Sequence, residues 1–149
     1  MALFRQSQRL QTRNIQRFLV DTNLFISAIK KWAKSTDLLI YLLNDPEIEL
    51  IANDVLLGEY SKFSSEFGAS DFFELIQNLV LIVNPSEKYI SDCKQYFPKN
   101  EMADAVHAAT CLQSNAVLIS NDKHFDKIRE MKIIEVWKIS KAIEKLLKT

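Results

Sequence analysis

Phe18-Leu19-Val20 is a short apolar run that stops abruptly at an aspartate, Asp21, followed by Thr22 and Asn23. The next residues, Leu24-Phe25-Ile26-Ser27-Ala28-Ile29, have the pattern of a helix. Strands buried on both faces read as continuous apolar runs, and open α/β sheets carry their chemistry at the carboxyl ends of such strands. Asp21 is therefore either the cap of the helix that follows or a carboxylate at the mouth of a sheet. The same pattern recurs at Ala116-Val117-Leu118-Ile119-Ser120-Asn121-Asp122, and that recurrence favours the second alternative.

The chain has 149 residues, enough for one domain with a substantial core. It contains only two glycines, Gly58 and Gly68, well separated. That excludes a glycine-rich phosphate loop or dinucleotide fingerprint, which need several glycines close together. No apolar run approaches the roughly 20 residues of a membrane span. The N-terminus lacks the apolar stretch of a secretory signal. Cys93 and Cys111 have no metal-ligand spacing and read as reduced structural thiols, so a cytoplasmic location is expected.

The net charge of +0 hides an asymmetry. Residues 1–17 carry Arg5, Arg9, Arg13 and Arg17 and no acid, which leaves 15 basic against 19 acidic residues in the remainder. At this spacing a helix would align the arginines on one face, able to meet nucleic acid phosphates or an acidic partner. Residues 1–16 are expected to be a basic extension, solvated unless a partner holds it, and residues 17–149 the domain.

Along the chain, strands are expected at 17–20, 48–52, 81–83, 116–120 and 133–137. Helices are expected at 24–33, 36–43 with Ser35 as N-cap, from a cap at Asn53 or Asp54 to about 67, and at 71–80, 87–97, 101–114, 123–131 and 140–148. Leu56, Tyr60, Phe63 and Phe67 form the apolar stripe of the third helix, with Glu59 on its edge. Strands alternating with helices predict a parallel sheet covered on both faces, an α/β fold of three layers, α/β/α.

The helix at 101–114 is apolar nearly all round and should be buried, yet it contains Asp104. A buried carboxylate without a partner would take up a proton instead. No arginine or lysine lies within a turn of it, so a metal ion, or a lysine from elsewhere in the fold, is called for. Asp21, Asp122, Asp104 and Glu59 can converge on one crevice, and clustered carboxylates repel unless a cation neutralises them. Oxygen-only ligands suit Mg²⁺ or Mn²⁺.

Four motifs, in order, resemble the PIN-domain ribonucleases and, within them, the VapC-like toxins. They are Asp21-Thr22-Asn23; Glu59, with Asp54 and Glu66 as rivals; Asp104-Ala105-Val106-His107-Ala108-Ala109; and Ser120-Asn121-Asp122-Lys123-His124-Phe125. The resemblance implies a PIN-like sandwich with a divalent-metal site that cleaves single-stranded RNA. It makes Asp21, Glu59, Asp104 and Asp122 the acidic quartet holding Mg²⁺ or Mn²⁺, whose bound water becomes the nucleophile. It makes Asn23 and Ser120 donors that orient the carboxylates. Glu101 is either a fifth acid or an exposed residue of a helix's first turn. It also implies a homodimer and an antitoxin protein that blocks the crevice.

His107 reads as a packed, hydrogen-bonded histidine and His124 as a surface one. Lys123 and Lys127, with Arg5, Arg9 and Arg13, are weak candidates for RNA contact. Trp32 and Trp137 read as core or interface residues. An inactive PIN-like scaffold binding RNA or a protein is the competing reading. A phosphoacceptor receiver domain is set aside, because the third strand ends in Asn84-Pro85 with no acceptor.

Overall fold

The computed structural model describes residues 15–30 and 33–147. Arg5, Arg9, Arg13 and Trp32 lie outside the described residues, and so do the expectations that fell on them. The strands are β1 (Gln16–Val20), β2 (Ile48–Ala52), β3 (Leu81–Ile82), β4 (Val117–Ile119) and β5 (Val136–Trp137). The helices are α1 (Thr22–Ile29), α2 (Ala33–Asn44), α3 (Asp54–Glu66), α4 (Ser70–Leu79), α5 (Glu87–Lys94), α6 (Met102–Ser114), α7 (Asp126–Glu130) and α8 (Ile139–Leu146), with a 3₁₀ turn over Lys123–Phe125.

All four strand pairings are parallel, in the order β3-β2-β1-β4-β5. Successive residues of a strand face opposite sides of the sheet. Phe18, Leu19 and Val20 are all buried, as are Val117, Leu118 and Ile119, so both faces are covered and the three-layer sandwich follows. Helix α6 packs on β1 and β4 beside α5, and α2 packs on β2 and against α8. Burying side chains such as Phe18 and Leu118 stabilises the fold by about 1.5–3 kcal/mol each.

The chain leaves β1 for β2 on one side and returns to β4 on the other. The strand order reverses between β1 and β4, and the carboxyl ends of strands at such a point are where open α/β sheets bind ligands. Asp21 follows β1 there, and Ser120 to Asp122 follow β4.

Several expectations are corrected by the fold. Helix α2 begins at Ala33, which puts Ser35 inside it rather than at its cap. Arg17 belongs to β1 and reaches the Glu49 carboxylate of β2 at 2.7 Å, so it leaves the arginine stripe. The Arg17–Glu49 register makes that pair a cross-strand neighbour. On α3, Leu56 and Tyr60 are buried, but Phe63 is only partly so and Phe67 is exposed, because the helix end runs past the sheet. Met102 and Ala103 are exposed, so the first turn of α6 projects from the core. Strand β5 is short, since residues 133–135 approach it outside the ladder.

Cys93 and Cys111 are free and buried; burial pushes the Cys93 thiol up to about 11 and raises Cys111 as well. Trp137 is buried edge-on to Phe18. No helix among the described residues is long and apolar enough to cross a membrane.

Candidate active site

Asp21 is placed by the end of β1 and serves both of its sequence readings. Its Oδ1 accepts from the backbone N–H of Thr22 at 2.8 Å, capping α1. Its Oδ2 accepts from the Ser120 hydroxyl at 2.6 Å, across the β1–β4 pair. Ser120 in turn accepts from the backbone N–H of Asp122 at 3.0 Å, so one hydroxyl ties the two strand ends together. Burial raises the Asp21 pKa; the bonds from Ser120 and Thr22 oppose that, and the nearby Glu59 adds to it.

Glu59 comes from the middle of α3. Asn53 caps that helix, accepting from the Leu56 N–H at 2.8 Å. One Glu59 oxygen accepts from the Thr22 hydroxyl, the other faces His107 Nε2 at 3.1 Å. Burial alone would raise the carboxyl; the bonds from His107 and Thr22 outweigh it and hold Glu59 below its ordinary value. Tyr60, the next residue, donates its hydroxyl to the Val20 carbonyl and stacks on Phe25, pinning α3 to β1 and α1.

Asp104 stands in the first turn of α6, where the helix dipole favours a negative charge. Burial, followed by the charge of Asp21, pushes its pKa up to about 6; Asp122 adds to the rise, and a hydrogen bond from His124 opposes it. Asp122 caps the 3₁₀ turn through the His124 N–H at 2.9 Å. That tight turn aims the His124 ring into the carboxylates. Its Nδ1 lies 3.0 Å from Asp104, 3.2 Å from Asp122 and 3.6 Å from Glu101. The bond to Asp104 raises the His124 pKa.

Ligand-type atoms of Asp21, Glu59 and His107 lie within 4.8 Å of one another, and so do those of Glu101, Asp104 and His124. The charges of Asp21 and Asp122 both press on Asp104, which joins the two groups electrostatically. The fit to a divalent cation rests on this donor set: carboxylates from four separate elements that repel one another, with His124 placed where a cation would sit.

Asp21 and Glu59 thus share one group and Asp104 and Glu101 another; Asp122 meets Asp104 through His124, and Ser120 is among the orienting donors. Asp54 and Glu66, the rivals of Glu59, stand elsewhere: Asp54 bonds Asn84 at 3.0 Å, and Glu66 is exposed. No hydrogen bond joins the Asn23 side chain to a carboxylate among the described residues, and its Oδ1 is buried without a partner. The orienting bonds on Asp21 come from Ser120 and Thr22 instead. Lys123 and Lys127 are exposed beside Asp122.

His107 is packed and hydrogen-bonded, as its apolar helix implied. His124 is on the surface but belongs to the site, which the sequence reading missed. Its only signal was the two-residue offset from Asp122, and its bond to Asp104 depends on the tertiary fold. Thr22 was equally unread, although it stood inside the Asp-Thr-Asn motif.

No curated protein sequence matches the chain. Solved structures do share its fold. One is VapBC2 from Rickettsia felis, described as bound to a DNA fragment from their promoter; it is 16% identical, with 83% of this chain and 98% of that one covered, at a TM-score of 0.62. Another is VapBC-1 from nontypeable Haemophilus influenzae, 22% identical, with 85% and 100% covered, at a TM-score of 0.61. At such identities the likeness establishes the fold. A comparison with protein families matches residues 18–131 to the PIN domain, a span that takes in every carboxylate of the crevice. Matched over more than half of its length, the chain belongs to the PIN domain family.

Proposed function

We propose that the chain is a divalent-metal-dependent endoribonuclease acting on single-stranded or loop RNA, and the toxin of a toxin–antitoxin pair. PIN domains are generally nucleases. The observation that carries the metal-dependent reading is the Asp104 carboxyl, pushed up to about 6 by burial and by the charges of Asp21 and Asp122. A site arranged for a bound proton alone would have no use for three more carboxylates. A cation neutralises carboxylates that otherwise repel one another.

Asp21, Glu59, Asp104 and Asp122 would hold Mg²⁺ or Mn²⁺, and Glu101 stands near enough to take part. Such an ion stabilises charge on a phosphodiester and lowers the pKa of bound water, which is the chemistry hydrolysis requires. Ser120 and Thr22 hold the carboxylates in place before substrate arrives. Exposed Lys123 and Lys127, with Arg5, Arg9 and Arg13, would meet the RNA backbone as point charges. The ribonuclease and toxin readings draw on the resemblance of the four motifs to VapC-like toxins, which also supplies the antitoxin partner, the homodimer and the cytoplasmic location.

The test is cleavage of a mixed-sequence structured RNA, and of DNA of the same sequence, by pure protein with Mn²⁺, with Mg²⁺ and with EDTA. Metal-dependent cutting of the RNA, lost in Asp104→Asn, is the expected result. A folded protein that binds Mn²⁺ and cuts DNA but not RNA would refute the substrate. One that binds no metal and cuts neither would leave the scaffold reading in its place.

A further inference from the structure

His107 is buried beside the carboxylates, 1% exposed, and the proposed chemistry gives it no task. Both of its ring nitrogens are engaged, which bars it from exchanging protons with a substrate. The hydrogen bonds around it nevertheless determine where its proton sits.

Asn53 fixes the direction of these bonds. Its Oδ1 accepts from the Leu56 N–H at 2.8 Å, and that cap fixes which way the amide points. Its Nδ2 must then be the atom 3.1 Å from His107 Nδ1 and 3.0 Å from Thr110 Oγ1. Thr110 donates its own proton to the Val106 carbonyl at 2.9 Å, so toward Asn53 it accepts. An amide NH₂ only donates. His107 Nδ1 is therefore an acceptor and carries no proton. The ring is the Nε2–H form, and that N–H meets Glu59 Oε2 at 3.1 Å.

We propose that His107 is a positioning residue for Glu59: a neutral imidazole, locked in its Nε2–H form by Asn53, that holds the Glu59 carboxylate in the crevice. Glu59 needs such a holder more than Asp21 does. Its side chain has an additional rotatable bond and is partly exposed, and the Thr22 hydroxyl engages only one of its oxygens. With the Nδ1–H form, a bare nitrogen would face the carboxylate and repel it. One residue, Asn53, thus both starts α3 and sets the state of the histidine that orients a carboxylate on that helix. The functional consequence rests on Glu59 belonging to the metal-binding set; the proton position does not.

Two readouts test this. Long-range ¹H–¹⁵N correlation on the wild-type protein at neutral pH is expected to show His107 protonated on Nε2 alone. Mn²⁺ titrations, with thermal melts to confirm folding, then compare His107→Gln with His107→Asn. A glutamine amide can reach the place of Nε2–H, whereas an asparagine amide reaches only that of Nδ1. The Mn²⁺ Kd is expected to weaken about threefold in His107→Gln and about 10- to 100-fold in His107→Asn. A proton found on Nδ1, or equal losses in the two variants, would overturn the proposal. Wild-type protein that binds no Mn²⁺ would overturn the metal-site reading instead, and the proton position would still decide this one.

Discussion

Asp104 sits in a conflict that function requires and stability does not. Its raised pKa, about 6, means that the folded protein binds this proton more tightly than the unfolded chain does. The group therefore favours the fold at acid pH, and that contribution is lost as pH rises through about 6. Above that, the charged form is held against burial and against Asp21. Asp104→Asn removes the conflict while keeping an acceptor for His124. It is expected to stabilise the metal-free protein at pH 7.5 by about 1 kcal/mol, a few degrees in Tm. A melt showing no gain, or a loss, would count against this placement of charge.

The same proton competes with a metal. Below about 6 Asp104 is protonated, and His124, whose pKa is raised by Asp104, keeps its positive charge where a cation would bind. Mn²⁺ affinity is expected to rise about 100-fold per pH unit below roughly 6, where both protons must leave, and about tenfold per unit above it. It should level off once His124 has also lost its proton. A flat profile between pH 5 and 7.5 would separate metal binding from these two groups.

Among the elements, α6 carries the tightest constraint. Ala105, Ala108 and Ala109 are fully buried, so small side chains let the helix lie close on β1 and β4 and bring Asp104 toward Asp21. Ala108→Leu would overpack that contact at a cost of about 1–3 kcal/mol. It should also reduce cleavage by about 100-fold, since small misplacements of reacting groups are amplified in rate. Melting and cleavage of the one variant measure both effects. The alternation of strands and helices was legible from the sequence, because buried apolar runs and capping residues are local signals. Element ends were less so. Helix α2 begins before Ser35, and β5 shrinks to Val136–Trp137, because pairing and packing rather than propensity end those elements.

At the scale of the molecule, the parallel sheet turns residues far apart in sequence into neighbours. Asp21, Asp104 and Asp122 stood out because each lies at a strand end or interrupts an apolar pattern; Glu59, on the edge of its stripe, had Asp54 and Glu66 as rivals. What lay beyond the sequence was how they are held. Thr22 reaching Glu59, His124 reaching Asp104 and Ser120 bridging two strand ends depend on side-chain directions that only the folded sheet defines. Asn23, by contrast, stood in the right motif and does not orient a carboxylate, so a motif names neighbours without assigning their bonds. A cation shared by elements from β1 to the turn after β4 should stabilise the fold as a whole. At about a hundred times its Kd, Mn²⁺ is expected to add about 2.7 kcal/mol to wild-type stability at pH 7.5 and far less to Asp104→Asn.

The central claim is that carboxylates from separate elements make one divalent-cation centre. Titration calorimetry of Mn²⁺ into the wild-type protein and into Asp104→Asn at pH 7.5 tests it most directly. Saturable binding in the wild type, weakened at least tenfold in the variant, is the result expected. Equal binding by the two proteins, or none by a folded wild type, would contradict it.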